Sequence, residues 1–373
     1  MKIGLNATCF NDRPSGAKQR FNGIYGELVK KLPDAEFVIY EPLDCPVASW
    51  FGGAPNVCAR KTPISSEGRF QKMISGFSYW KTALEREDFD IFEGFNMPFV
   101  KSRSGRNLLT IHDLRGVNLE FSPLSRAVFK LVLGRSIGSA DNVITVSETM
   151  KEEILKIYPQ CPISVIHNGI DTHSFDDITE FDILSVRKKF SLPREFVLAV
   201  GHCEARKNYL RLIDAMAMLR DLGKSCPLLI IGNDSGERNL IESRIESLNL
   251  SKSVQILTAL NDFEVKCVYK LCSIFVFPSS YEGFGIPILE AMAAGCPMVL
   301  SDLPVFREIT ENSGVYFPHY DVEAMALAIE KTLTSTIDRK KQIIYGLGRV
   351  QAFNFKSQAN QLASLYRMLL SKN

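Results

Sequence analysis

The chain has 373 residues, 46% of them hydrophobic and 23% charged, with a formal net charge of +2. That length supports two ordinary domains, each with its own core. The composition argues against disorder, and the charge is too evenly balanced for nucleic acid to be the main partner.

The N-terminus, Met1 to Thr8, turns polar too soon for the apolar part of a signal peptide. No stretch approaches the length of a membrane-spanning helix. The expectation is a cytoplasmic protein, soluble or attached to a membrane only peripherally. Apolar runs at 2–7, 36–40, 107–111, 142–146 and 163–166 read as strands, and amphipathic segments at 17–31, 122–138 and 147–157 as helices. The rhythm breaks at about 170–195, where Asp171 to Asp182 is polar and acid-rich; this reads as a link between domains. It resumes with strands at 196–200, 228–231, 254–257, 274–277 and 297–300 and helices at 207–222, 236–248 and 321–333. Strands rich in Val, Ile, Leu and Phe that alternate with helices indicate parallel sheets covered on both faces, an α/β architecture. The expected domains are 1–172 and 173–373, with a last helix at about 355–373 that has no strand after it and is free to cross back to the first. Nine cysteines, an odd number without a C-x-x-C pair, point to reduced thiols rather than a disulfide framework or a zinc site.

Open α/β sheets bind ligands beyond the carboxyl ends of their strands. The strongest signal there is Glu282-Gly283-Phe284-Gly285-Ile286-Pro287-Ile288-Leu289-Glu290, which follows the strand 274–277 and opens a helix. Gly283 and Gly285 allow close backbone approach, and Pro287 suits a first helical turn. Free amides at that turn form an anion site, and the two carboxylates, about two turns apart, can each accept hydroxyl hydrogen bonds from one long ligand. The plain alternative is a helix start with an exposed glutamate at each end. A second signal, Gly201 to Asn208, carries Arg206 and Lys207 at the end of another strand. Two cations there can neutralise a diphosphate leaving group; the plain alternative is a solvated basic turn.

His112 ends the strand 107–111 and could meet a hydroxyl, although a lone histidine is more often structural. Arg13 to Ala17, with Gly16, is a weak phosphate-loop look-alike; no G-x-G-x-x-G or G-K-[ST] occurs there, so nicotinamide and P-loop chemistry lose support. Asp88-Phe89-Asp90 resembles a metal-holding acidic pair but runs into Ile91-Phe92 and reads better as the start of a strand. Helix 122–138 carries Arg126, Lys130 and Arg135 among Val128, Phe129, Leu131 and Val132. It could lie on an anionic membrane; a core-facing helix with a solvated basic edge is the preferred reading.

Taken together, Glu282 to Glu290, Glu204 to Asn208, Val146-Ser147-Glu148 and Asn168-Gly169-Ile170-Asp171 resemble the retaining glycosyltransferases of family 4. The resemblance implies the GT-B fold, two facing Rossmann-like domains with a deep cleft between them. It implies that Glu282 and the amides of Phe284 and Gly285 bind the donor sugar, within a stretch that includes Gly283 and Ile286. Glu290 would bind the ribose, Arg206 and Lys207 the diphosphate, His112 the sugar near the reacting carbon, and Gly16 the phosphates or the acceptor. It further implies transfer of a hexose with retention from a nucleotide diphosphate sugar, with no metal or other cofactor, onto a glycan or lipid-linked glycan in surface polysaccharide synthesis. Peripheral contact with the inner membrane stays open. The Arg206-Lys207-Asn208 form points weakly to GDP-mannose. The chain departs from the family at Ala17 and His202, where many members have Gly and Arg, which leaves the phosphate contacts open. A nucleotide-sugar epimerase and a non-catalytic nucleotide-sugar-binding protein are the alternatives. The acceptor loops, roughly 41–80, follow no readable rule.

Overall fold

The computed structural model describes residues 1–67, 79–80, 82–85, 87–95, 97–115 and 123–371. The chain divides into two compact units, Met1–Gly169 with Asn354–Asn373, and Ile170–Phe353. Residues 68–78 of the acceptor loops lie outside the described residues.

Among the described residues, the first unit is built on a parallel sheet of β1 (Lys2–Asn6), β2 (Glu36–Glu41), β3 (Val57–Lys61), β4 (Ile91–Gly94), β5 (Arg106–Ile111), β6 (Asn142–Thr145) and β7 (Ile163–Val165). Its strand order is β3-β2-β1-β4-β5-β6-β7. The central strands are buried on both faces, which is why they read as continuous apolar runs. Edge strand β3 carries Arg60 and Lys61 and has no such run, so periodicity does not reveal it. The Asp88-Phe89-Asp90 segment leads into β4, and the Asp90 carboxylate accepts the Lys2 backbone N–H at 2.6 Å, a structural use of that side chain.

The segment expected as one helix at 17–31 has three parts: an α-turn Gly16–Arg20, a π-turn Phe21–Tyr25 and an α-helix Gly26–Lys31. Ser15 caps its start by accepting the Lys18 N–H. The C-terminal helix Phe355–Leu370 packs against this segment; a Cβ on Gly23 would lie 2.3 Å from the Phe355 ring. Beneath it sits a buried polar network. The Glu93 carboxylate accepts hydrogen bonds from Tyr25, Thr110 and Tyr366, each at 2.5 Å. Burial raises the Glu93 carboxyl above its ordinary range, and the three hydroxyls pull it back. Arg20, also buried, donates to the carbonyls of Ile166 and His167 and to Asn168 Oδ1 at 2.7, 2.8 and 3.1 Å.

Helix Pro123–Ser139 faces the core on one side and leaves Arg126, Lys130 and Arg135 exposed, in keeping with the preferred sequence reading. Leu133 and Ile137 are buried, but Leu124, Val128 and Leu131 are 76%, 52% and 55% exposed, so its apolar residues divide between two faces. Among the described residues, no helix is long and apolar enough to cross a membrane.

The second unit repeats the plan with β8 (Val197–Val200), β9 (Leu228–Ile231), β10 (Val254–Leu257), β11 (Ile274–Phe277), β12 (Met298–Ser301) and β13 (Val315–Phe317), in the order β10-β9-β8-β11-β12-β13. The stretch read as a link is helical instead. Glu180–Lys189 forms a helix with a Thr179–Asp182 capping box, and Lys189 pairs with Glu264 of the same unit at 2.5 Å. Its acids fall in the first turn and its bases in the last, where the helix dipole favours each. It lacks an apolar run because Phe181 and Leu184 face solvent.

Because Glu93 takes three buried hydroxyl donors, Tyr366→Phe is expected to cost about 1–3 kcal/mol in urea unfolding. An unchanged midpoint would show that this hydroxyl does not anchor the C-terminal helix.

Candidate active site

In each sheet the strand order reverses direction at one place, between β1 and β4 and between β8 and β11. Open α/β sheets bind ligands at such reversal points, because helices leave to opposite faces and the loops after the two strands diverge. In the second unit those loops are Gly201–Asn208 and Pro278–Gly285, the two segments that sequence marked most strongly.

After β8 the backbone turns at Gly201, whose φ of +146° disfavours a side chain. A Cβ there would meet the Lys207 side chain at 2.9 Å, so the glycine lets the lysine fold back over the strand end. Gly232, after β9, comes closer still: a Cβ would lie 1.9 Å from the Gly201 carbonyl oxygen. The sequence reading expected the following helix to begin at Lys207. Instead Ala205–Lys207 is a 3₁₀ turn, Asn208 sits in the left-handed region at φ +60°, and the helix Tyr209–Asp221 follows. The cations thus precede the helix. Asn208 fixes the turn by donating from Nδ2 to the carbonyls of Pro278 and His319 at 3.0 and 2.7 Å.

The basic pair is not a solvated turn. Lys207 is 6% exposed, and its ammonium lies 4.6 Å from the centroid of the buried Phe277 ring. Both cations reach Glu282: Lys207 Nζ at 2.8 Å and Arg206 Nη1 at 2.5 Å from Oε1. Ser279 Oγ donates to the same oxygen at 2.9 Å. Arg206 also pairs through Nη2 with Glu204 at 2.5 Å and donates to the Tyr281 carbonyl at 3.3 Å. Burial would raise the Glu282 carboxyl, but Lys207 and Arg206 outweigh it and hold it at about 2. Burial and the neighbouring arginine lower the Lys207 ammonium, against the pull of Glu282. With three protein donors on Oε1, Glu282 has Oε2 to offer a ligand hydroxyl.

The Glu282 loop ends at Gly285, φ +124°, where a Cβ would press on Ile288 and Phe306 at 3.2 Å. Helix Ile286–Ala293 starts there with Pro287 in its first turn, as the sequence predicts. Phe284 and Ile286 bury their side chains, so their main-chain groups are what a ligand could meet. Gly283 is buried in the same loop. Glu290, on that helix, accepts from Tyr269 at 3.0 Å; burial raises its carboxyl, and the tyrosine's hydrogen bond pulls it back.

Arg206, Lys207 and Glu282 are therefore one cluster, and Glu290 has its own partner. Gly16 and His112 lie in the first unit, beyond the carboxyl ends of β1 and β5. His112 Nε2 is buried and without a hydrogen-bond partner among the described residues. Burial, reinforced by Arg20, lowers the imidazole to about 4, so it is neutral at pH 7. Sequence reasoning missed Ser279, the pairing of Glu204 with Arg206, and Arg20.

Two family models match the chain, "Glycosyl transferases group 1" over residues 181–349 and "Glycosyltransferase Family 4" over 41–174. The chain carries a family 4 and a group 1 glycosyltransferase domain and is a glycosyltransferase. This glycosyltransferase is 26% identical over 284 residues to O-antigen chain mannosyltransferase B of Escherichia coli, covering 75% of its own length and 74% of that protein. It is 30% identical over 224 residues to O-antigen chain mannosyltransferase RfbU of Salmonella typhimurium, covering 60% of its own length and 59% of the relative's. In fold it is similar to sucrose-phosphate synthase of Thermosynechococcus elongatus, with a TM-score of 0.81 at 22% identity over 100% of both chains. The fold is of the GT-B class.

Two measurements test this geometry. Removing one partner of a buried ion pair strands the other, at about 3–5 kcal/mol. Glu282→Gln and Lys207→Met should each destabilise the glycosyltransferase, and the double variant by less than their sum; additive losses would mean that the two side chains do not interact. His112, held at about 4 against its ordinary 6.5, stays neutral in the fold while the unfolded chain takes up a proton. Its contribution is complete above pH 6.5 and is lost as pH falls to 4, up to about 3 kcal/mol. His112→Asn should flatten that part of the stability profile, and an unchanged slope would remove the assignment.

Proposed function

We propose that this glycosyltransferase moves a hexose, mannose before others, from a nucleotide diphosphate donor to a glycan or lipid-linked glycan acceptor, with retention of configuration and without a metal. The observation that carries the reading is the convergence of Arg206 and Lys207 on Glu282 at the reversal point of the second sheet. Breaking the bond between the sugar carbon and the phosphate oxygen leaves negative charge on a diphosphate. Fixed cations next to that oxygen lower the barrier, because a site shielded from solvent screens them less than water does. Lys207 and Arg206 supply that charge, the task a metal performs in other transferases. The diphosphate takes the place of Glu204 on Arg206. Glu282 receives a sugar hydroxyl on Oε2, the amides of Phe284 and Gly285 receive the sugar's oxygens, and Glu290 receives the ribose.

Retention follows if the acceptor oxygen attacks the face that the diphosphate leaves and gives its proton to the departing phosphate oxygen. His112, neutral at working pH, then serves as a hydrogen-bond partner for the sugar rather than as an acid, and Gly16 lies where the phosphates or the acceptor need backbone room. The mannosyltransferases among the relatives support mannose. Nine free thiols suit a reducing cytoplasm, and O-antigen relatives support work on surface polysaccharide.

Incubating the protein with GDP-mannose and a glycan acceptor extract, in EDTA, is expected to release GDP and extend the acceptor. Lys207→Ala should reduce kcat by about 10²–10³-fold. Isomerised donor without released GDP would mean an epimerase. Donor binding without turnover would mean a binding protein. Full activity in the variant would dismiss the proposed site.

A further inference from the structure

The edge of a guanidinium formed by Nε and Nη2 is a fork that matches two oxygens of one phosphate side by side. In Arg206, Nη2 of that edge is held by one oxygen of Glu204 at 2.5 Å. Nε, beside it, is buried and without a hydrogen-bond partner among the described residues. Glu204 thus fills half of the fork and leaves a buried donor unmade, which is costly. Charge is balanced as well. The cluster holds two cations, Arg206 and Lys207, and two carboxylates, Glu204 and Glu282, so its formal charges cancel. A dianionic diphosphate gains little from a neutral cluster. The two carboxylates are not equally held. Glu282 takes Lys207, Arg206 and Ser279 on one oxygen, and its side chain is 11% exposed. Glu204 stands two residues from Arg206 on the same turn, and its side chain is 23% exposed. Its main chain is fixed on both sides. The Cys203 carbonyl accepts the Ser235 and Glu237 N–H groups at 3.1 and 3.2 Å, and the Glu204 carbonyl accepts the Lys207 N–H at 2.9 Å. The Glu204 side chain can therefore leave Arg206 by a change of rotamer while the loop stays in place.

We infer that Glu204 is a built-in competitor of the diphosphate, and that its hold on Arg206 sets how tightly a nucleoside diphosphate binds. A phosphate meets Nε and Nη2 together, a contact that a single carboxylate oxygen does not make. Displacing Glu204 leaves net positive charge where the dianion sits. Binding is weakened in proportion to the time Glu204 occupies the fork. Its return to Arg206 opposes rebinding when the spent nucleoside diphosphate departs. The inference rests on the reading of Arg206 as a diphosphate ligand and adds the group that tunes that contact.

The test is calorimetric titration of the full chain with GDP, UDP and dTDP, without acceptor, so it does not depend on the transfer reaction. Glu204→Gln should bind whichever nucleotide the wild type takes about three- to tenfold more tightly, with an affinity that falls more steeply as salt is raised. The corresponding free nucleoside, which has no phosphate, should bind the variant and the wild type alike. Glu204→Asp keeps the charge but draws it back by one carbon. It should gain less than Glu204→Gln, and it carries the test if thermal unfolding shows that the Gln variant does not fold. Glu246→Gln, which removes a charge from an exposed position in the same unit, should change nothing. Equal or weaker nucleotide binding in the folded Glu204 variants, with wild-type binding intact, would overturn the inference and leave the donor site standing. A gain shared by the free nucleoside would also overturn it, since a change of loop structure rather than lost competition would then be at work. A wild-type chain that takes none of the three nucleotides would overturn the donor reading and this inference with it.

Discussion

One carboxylate oxygen organises the second unit's site. Glu282 Oε1 receives a lysine, an arginine and a serine, all within hydrogen-bond distance. Two cations this close repel each other and would be costly to bury alone; the carboxylate between them makes burial tolerable. The same arrangement binds the loop after β8 to the loop after β11, so the sheet's reversal point is braced by charge. Preorganisation of this kind means that little rearrangement is needed when negative charge develops.

Backbone geometry makes the cluster possible. Gly201 clears space for Lys207, Gly232 clears space for Gly201, and Asn208 accepts a left-handed conformation while its amide grips the ends of two other loops. None of these residues carries the chemistry, but each sets where a charged atom lies. The first unit shows the same economy in Glu93, a buried acid satisfied by three hydroxyls from distant parts of the chain. There the polar network holds the returning C-terminal helix rather than a ligand.

What sequence made legible follows from which forces are local. Strands buried on both faces, such as β8 and β11, show as apolar runs, and Gly-Phe-Gly-Ile-Pro shows as a turn into a helix because the residues that matter are neighbours. The pairing of Lys207 with Glu282 spans 75 positions, and that of Tyr366 with Glu93 spans 273; no periodicity reports such contacts. Residues given separate roles in the sequence, two cations for phosphate and a carboxylate for sugar, therefore turn out to share one oxygen. The polar stretch near 180 was misread for a related reason: a half-exposed helix with dipole-matched ends needs few apolar residues. Helix Pro123–Ser139 has the expected inward face and basic edge, but its composition does not say which apolar residues find a neighbour.

The most direct measurement of the central claim is a crystal structure of the protein soaked with an unreactive analogue of a nucleotide diphosphate sugar. The account requires a phosphate oxygen about 3 Å from Lys207 Nζ and from Arg206, a sugar hydroxyl at about the same distance from Glu282 Oε2, and the ribose on Glu290. Density for the ligand elsewhere, with the Lys207–Glu282 pair untouched, would contradict it.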